Sequence, residues 1–233
     1  MKRILLTVEY DGTNYAGWQR QINGLAVQQG LEEALQKATG ERIVVTGASR
    51  TDAGVHALGQ AVHFDTESRI PPEKYPFVLN TMLPRDVRVH TGREVPPEFH
   101  TRFMTRRKRY TYRIINSRHA SAIRRCTHVH VPVPLDVTVM QQAAKQLLGT
   151  HDFAAFQAAG GTAKTTVRTI YSADLTASGD EITLVIEGDA FLYNMVRIMV
   201  GTILAIGAGT IPQGSIPAII EAKNRSRAGA TAP

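Results

Sequence analysis

The 233-residue sequence predicts an α+β protein built as two halves with a mainly antiparallel sheet. Three observations carry that prediction. Short strands with alternating apolar residues recur along the whole chain. Helical stripes of apolar residues fall between them. A proline-bearing stretch, "EVPPEFH", separates two runs of similar element order, so the halves are taken as residues 1–100 and 101–233. No sequence-level repeat accompanies that similarity.

Ile4, Leu6, Val8 and Tyr10 alternate with Leu5, Thr7 and Glu9, which predicts the first strand. "DGTNYAGWQRQING" follows as a loop rich in glycine and asparagine. Val27, Leu31, Leu35 and Ala38 share one helical face, Glu33 and Lys37 make an i,i+4 pair, and Gly40 ends the helix. "RIVVTGA" reads as a short buried strand and "GQAVHFD" as the next one. "PPEKYPFVLNTML" reads as a helix that Pro76 splits, and "DVRVHTGREV" as a strand.

In the second half, Tyr110, Tyr112 and Ile114 alternate in a strand, and "THVHVPV" forms a short one. "VTVMQQAAKQLLG" is a helix expected to end at Gly149. Ile182, Leu184 and Ile186 alternate in a strand. Leu192, Met195, Val196, Met199, Val200, Ile203 and Leu204 then form a continuous helical stripe. The uncharged run from Ile198 to Ile220 is interrupted by Gly207, Gly209, Pro212, Gly214 and Pro217. It reads as a buried helix, a turn and a second helix start rather than a membrane span. The chain closes on a tail of small residues, "RAGATAP".

Composition narrows the function. Hydrophobic residues make up 43% of the chain, a globular proportion. The formal charge is +7, which points to a polyanionic partner, nucleic acid or an anionic membrane. The single cysteine, Cys126, excludes an internal disulfide and a C-x-x-C zinc site, and fits a reducing, cytoplasmic setting. The apolar stretch at the N-terminus is too short for a signal peptide.

The charge is concentrated. Residues Thr101 to Leu135 hold nine Lys or Arg and no Asp or Glu, interleaved with Tyr110 and Tyr112 on one strand face. Cations neutralise phosphates and aromatic rings stack on unpaired bases, so this segment favours a nucleic acid. The competing reading is a solvated basic face with two core tyrosines.

Inside this basic chain lies "GASRTDAGVHAL". Four readings fit it. It is a turn, since Asp and Gly favour turns. It is a hydrolase-like set of Ser49, Asp52 and His56, although no nucleophile-elbow pattern accompanies it. It is a metal site drawing on His56, His63 and Asp65. Or Asp52 is an active carboxylate kept ionised by a nearby arginine, with Arg50 two residues away and Arg197 off the apolar stripe of its helix.

The residues also carry a resemblance. "GASRTDAGVHALGQAVHFDT" resembles the signature of the tRNA pseudouridine synthase A family. The match continues in order through "YDGTNYAGWQRQING", "VQQGLEEAL", "LNTMLPRDVRV", "FHTRFMTRRKRYTYRI", "HDFAAF" and "FLYNMVRIMVGTILAIG". It spans nearly the whole chain.

The resemblance implies conversion of uridine to pseudouridine in tRNA, at positions 38 to 40 of the anticodon stem-loop, with no cofactor and no catalytic metal. It implies two ferredoxin-like halves around a central basic cleft, a homodimer, no further protein partner and no membrane. By motif position Asp52 is the catalytic aspartate. Tyr110 stacks on the target base, Arg197 pairs with the aspartate, and Arg50 helps displace the base. His56 braces the loop and Trp18 packs.

Ser49 stands where the family pattern has glycine. The family pattern also continues past "AGATAP" with one more strand, whereas this sequence ends at Pro233. The rival function is a non-catalytic RNA-binding module, which needs the basic tyrosine strand but no aspartate.

Overall fold

The computed structural model describes residues 1–233 and divides into two compact units, Met1–Thr105 and Arg106–Pro233.

The first unit opens with β1 (Lys2–Tyr10), whose Ile4, Leu6, Val8 and Tyr10 all point into the core. α1 (Val27–Thr39) buries Val27, Leu31, Ala34 and Leu35, and Gly40 closes it in the left-handed region. β2 (Thr46–Gly47), β3 (Ala57–Thr66), α2 (Tyr75–Asn80) and β4 (Val87–Val95) follow. The four strands lie in the order β2-β3-β1-β4, every pair antiparallel. Phe64, Tyr75 and Leu79 join the inward residues of β1 and α1 in one core. A one-turn α3 (Thr101–Met104) ends the unit.

The "RIVVTGA" strand is much shorter than its sequence suggests. Of "RIVVTGA", only Thr46–Gly47 pairs as a strand. Upstream, the backbone of Val45 is satisfied by helix side chains instead. Its N–H donates to Glu32 Oε1 at 3.2 Å, and its carbonyl accepts from Gln28 Nε2 at 3.2 Å. The "PPEKYPFVLNTML" stretch is divided just before Pro76, into a 3-10 turn at Pro72–Lys74 and α2 at Tyr75–Asn80, and Pro76 marks that change. Pro76 sits in the first turn of α2, where a proline removes an N–H that has no acceptor within the helix.

The second unit contains β5 (Lys108–Asn116), β6 (Val129–Val131), α4 (Val137–Lys145), β7 (Gly149–Asp152), β8 (Val167–Ser178), β9 (Glu181–Gly188), α5 (Met195–Gly207) and α6 (Ile216–Ala222). Its sheet runs β6-β5-β9-β8-β7, antiparallel except for the β5–β6 pair. Ile114, Ile182, Leu184 and Ile186 pack against Met140, Ala143, Met199 and Ile203 from the helices.

α4 stops at Lys145, four residues before the expected glycine, and Gly149 instead opens β7. β8 has no counterpart in the sequence reading. Its register shifts between Ile170 and Ser172, so its buried residues Ile170, Ala173 and Leu175 break the two-residue period. No helix is long and apolar enough to cross a membrane.

The small-residue tail is docked rather than featureless. Gly229 N–H donates to Thr202 Oγ1 at 2.9 Å, and Ala232 N–H donates to the Arg197 carbonyl at 3.0 Å.

Candidate active site

Asp52 lies half-buried on the loop between β2 and β3, with Arg50 exposed two residues before it. That loop rests on the segment following β1. Tyr10 Oη meets Thr51 Oγ1 at 2.8 Å. Trp18 N–H donates to the Thr51 carbonyl at 3.1 Å, and Gly54 N–H donates to the Tyr15 carbonyl at 3.3 Å.

Two glycines permit the approach. Gly17 has φ +103°, and a Cβ there would stand 2.6 Å from the Thr51 carbonyl oxygen. A Cβ on Gly12 would stand 2.1 Å from the Val55 carbonyl oxygen. Thus the "DGTNYAGW" loop is the support for the aspartate loop, a role its composition did not disclose.

The surrounding side chains are braces. Trp18 is buried, its ring centroid 5.9 Å from that of Tyr10, with Gly47 against the indole. Tyr15 donates to Asp86 Oδ1 at 2.8 Å, and burial pushes its hydroxyl up so that it stays a donor. His56 Nδ1 lies 3.1 Å from the Gly12 nitrogen and 2.9 Å from Asp11 Oδ1.

The metal reading fails on geometry. His63 is buried with Nδ1 2.9 Å from Thr101 Oγ1, and Asp65 accepts two 2.7 Å bonds from Arg3. No three His, Cys, Asp or Glu side chains gather as a ligand set.

Tyr110 and Arg197 belong to the second unit. Tyr110 is half-buried on β5 opposite Ile186, and its ring meets Phe191 edge-on at 5.1 Å between centroids. Phe191 stands in the turn before α5 and was missed in the sequence, where it reads as one more apolar residue.

Arg197 lies in the first turn of α5. Its Nε donates to the Ala232 carbonyl at 2.8 Å and its Nη1 to Asn194 Oδ1 at 3.2 Å. Asn194 adopts φ +57°, which turns the chain into that helix. Tyr112 lies two residues after Tyr110 on β5, and its hydroxyl donates to the Pro233 carbonyl at 2.8 Å. It shares the β5 face of Tyr110, packs on the core, and its hydroxyl is pushed up to about 12 by burial, with the Arg197 charge opposing. Tyr112 is therefore a packing residue rather than a base platform.

The basic segment also differs from the simple reading. Alternation puts Arg109, Thr111 and Arg113 on the face of β5 opposite the tyrosines, and all three are exposed. Its charge is partly compensated from β9 and the turn before it. Glu187 accepts from Arg107 at 3.0 Å and from Arg109 at 2.9 Å, and Arg124 bonds Asp180 at 3.2 Å. The sequence hid this because the acids lie far along the chain.

Comparison with known proteins gives a consistent result. A family model described as tRNA pseudouridine synthase matches residues 6–104 and 143–233. A tRNA pseudouridine synthase A of Ruminiclostridium cellulolyticum is 49% identical over 100% of this chain and 96% of its own length. Proteins of the same name from Acetivibrio thermocellus and Halalkalibacterium halodurans are each 49% identical over 100% of this chain, and over 96% and 89% of their own lengths. The aspartate loop, its supporting segment and the turn into α5 all fall within the residues that the family model matches. The chain belongs to the tRNA pseudouridine synthase A family.

Proposed function

We propose that this member of an isomerase family acting on tRNA converts uridine to pseudouridine at positions 38, 39 and 40 of the anticodon stem-loop, with Asp52 as the reacting group. The observation that carries this reading is the placement of Asp52 on a loop held by a second loop of the same unit. A carboxylate fixed in this way is suited to chemistry at a sugar or base.

Isomerisation breaks the C1′–N1 bond, turns the uracil and joins C5 to C1′. Substrate and product are isomers, so the reaction calls for no electron or group from outside. The target base leaves its stack first. In this reading Arg50, exposed beside Asp52, fills the vacated space. Tyr110, steadied by Phe191, stacks on the loosened uracil. Arg197 pairs with the aspartate. Asp52 acts as the nucleophile or as the base that removes a sugar proton.

The strand order β2-β3-β1-β4 on a β-α-β-β-α-β chain supports a ferredoxin-like plan for the first half, and β5-β9-β8 supports the same core order in the second. The central basic cleft, the homodimer and the cytoplasmic location rest on the family resemblance.

The test is tritium release from tRNA carrying C5-tritiated uridine. Wild type releases tritium, and Asp52→Asn binds tRNA without releasing it. Turnover by Asp52→Asn at the wild-type rate removes Asp52 from the mechanism. A folded wild type that binds tRNA and releases nothing supports the binding-module reading.

A further inference from the structure

We propose that His56, together with Asp11 and Gly12, is a positioning residue that fixes the Asp52 loop in its reactive geometry. The inference rests on Asp52 being the reacting carboxylate.

The loop is held on both sides of Asp52. One residue before it, Thr51 is bonded by Tyr10 Oη through its side chain and by Trp18 N–H through its carbonyl. After it the chain turns, with Gly54 at φ +77° and Val55 N–H bonded to the Asp52 carbonyl at 3.2 Å. The turn then ends at His56. The backbone at Gly12 presses on the Val55 carbonyl so closely that no side chain fits there. His56 Nδ1 is the side-chain atom that ties this far end down, 3.1 Å from the Gly12 nitrogen and 2.9 Å from Asp11 Oδ1.

The tie works in both protonation states. A bare Nδ1 accepts from Gly12 N–H, and a protonated Nδ1 donates to Asp11. Thr13 supplies hydrogen bonds that hold the Asp11 carboxyl below the usual carboxylate range, so that partner stays charged. Both bonds lead to one dipeptide, and the loop keeps its place in either state. Without the ring, the Val55–His56 end of the loop loses its side-chain tie, and the geometry at Asp52 rests on the bonds at Thr51 and Gly54. A misplacement of about 1 Å is enough to cost on the order of 100-fold in rate.

The experiment measures kcat and KM by tritium release on the full chain, with thermal melts of each variant. His56→Ala is expected to lower kcat by about 10- to 100-fold while KM stays within roughly threefold. His56→Asn, whose amide offers an acceptor and a donor near the place of Nδ1, is expected to recover most of that loss.

Wild-type kcat in His56→Ala, a change in KM alone, or no recovery in His56→Asn overturns the inference. If His56→Ala loses its cooperative melt, His56→Leu replaces it, because it keeps side-chain bulk and removes the Nδ1 atom that reaches Gly12 and Asp11. A several-fold lower kcat at unchanged KM is then expected, and an unchanged kcat overturns the inference. A wild type that releases no tritium overturns the isomerase reading itself, an outcome distinct from any difference among the variants.

Discussion

Phe191 meets Tyr110 edge-on, with ring centroids 5.1 Å apart and planes 84° apart. The strand carrying Tyr110 and the turn carrying Phe191 lie about eighty residues apart in sequence. In this arrangement the positive edge of one ring faces the π cloud of the other, which restricts both.

Phe191→Ala removes that partner. Aromatic pairs of this kind contribute about 0.5–1.5 kcal/mol beyond area burial. If Tyr110 holds the target base, kcat/KM falls by about 2- to 10-fold. Phe191→Leu restores bulk but not the ring edge, so it recovers stability more than rate. Steady-state tritium release and thermal melts separate the two effects.

Glu187 pairs with two arginines of the basic segment, Arg107 and Arg109. Its side chain is 13% exposed, whereas those of Arg107 and Arg109 are 68% and 69% exposed. Arg107 also lies over the Tyr171 ring at 4.9 Å. Hydrogen bonds from Arg109, then Arg107, hold the Glu187 carboxyl below the usual range. Glu187→Gln therefore releases positive charge at neutral pH. Filter binding of tRNA across salt concentrations is expected to show tighter binding and a log–log slope steeper by about 1–2. An unchanged slope means these arginines do not reach phosphate.

His63 gives the first unit a pH-dependent stability. Burial lowers its pKa below the ordinary 6.5, helped by the Arg3 and His100 charges and opposed by Asp65. The folded ring therefore stays neutral where the unfolded ring takes a proton. Its contribution is complete above about pH 6.5 and is lost as pH falls below that value. Asp65, held low by Arg3, loses its own contribution only in the more acid carboxylate range. Thermal melts at pH 7.5 and 5.5 are expected to show a larger drop for wild type than for His63→Asn. Equal drops assign the effect to other groups.

The long elements were legible because burial repeats along them. β1 alternates Ile4, Leu6, Val8 and Tyr10, and α5 carries its stripe on a helical period, so each shows its inner face without a partner. The Arg-Thr-Asp loop was legible through its resemblance to a known family. Other features depended on distant partners. β8 hides its strand behind a register shift, and Val45 gives its backbone bonds to Glu32 and Gln28 instead of a strand.

By itself the sequence determined the α+β class, the positive charge, the family resemblance and the identity of Asp52 as the residue to test. Local periodicity and motif order are properties of the chain alone. Only the tertiary structure decided that "DGTNYAGW" carries the aspartate loop, that Phe191 steadies Tyr110, that Tyr112 packs, and that Glu187 answers Arg107 and Arg109. Each of these pairs joins residues far apart in sequence, and hydrogen bonds and ring contacts are set by distance in space, which no local pattern encodes.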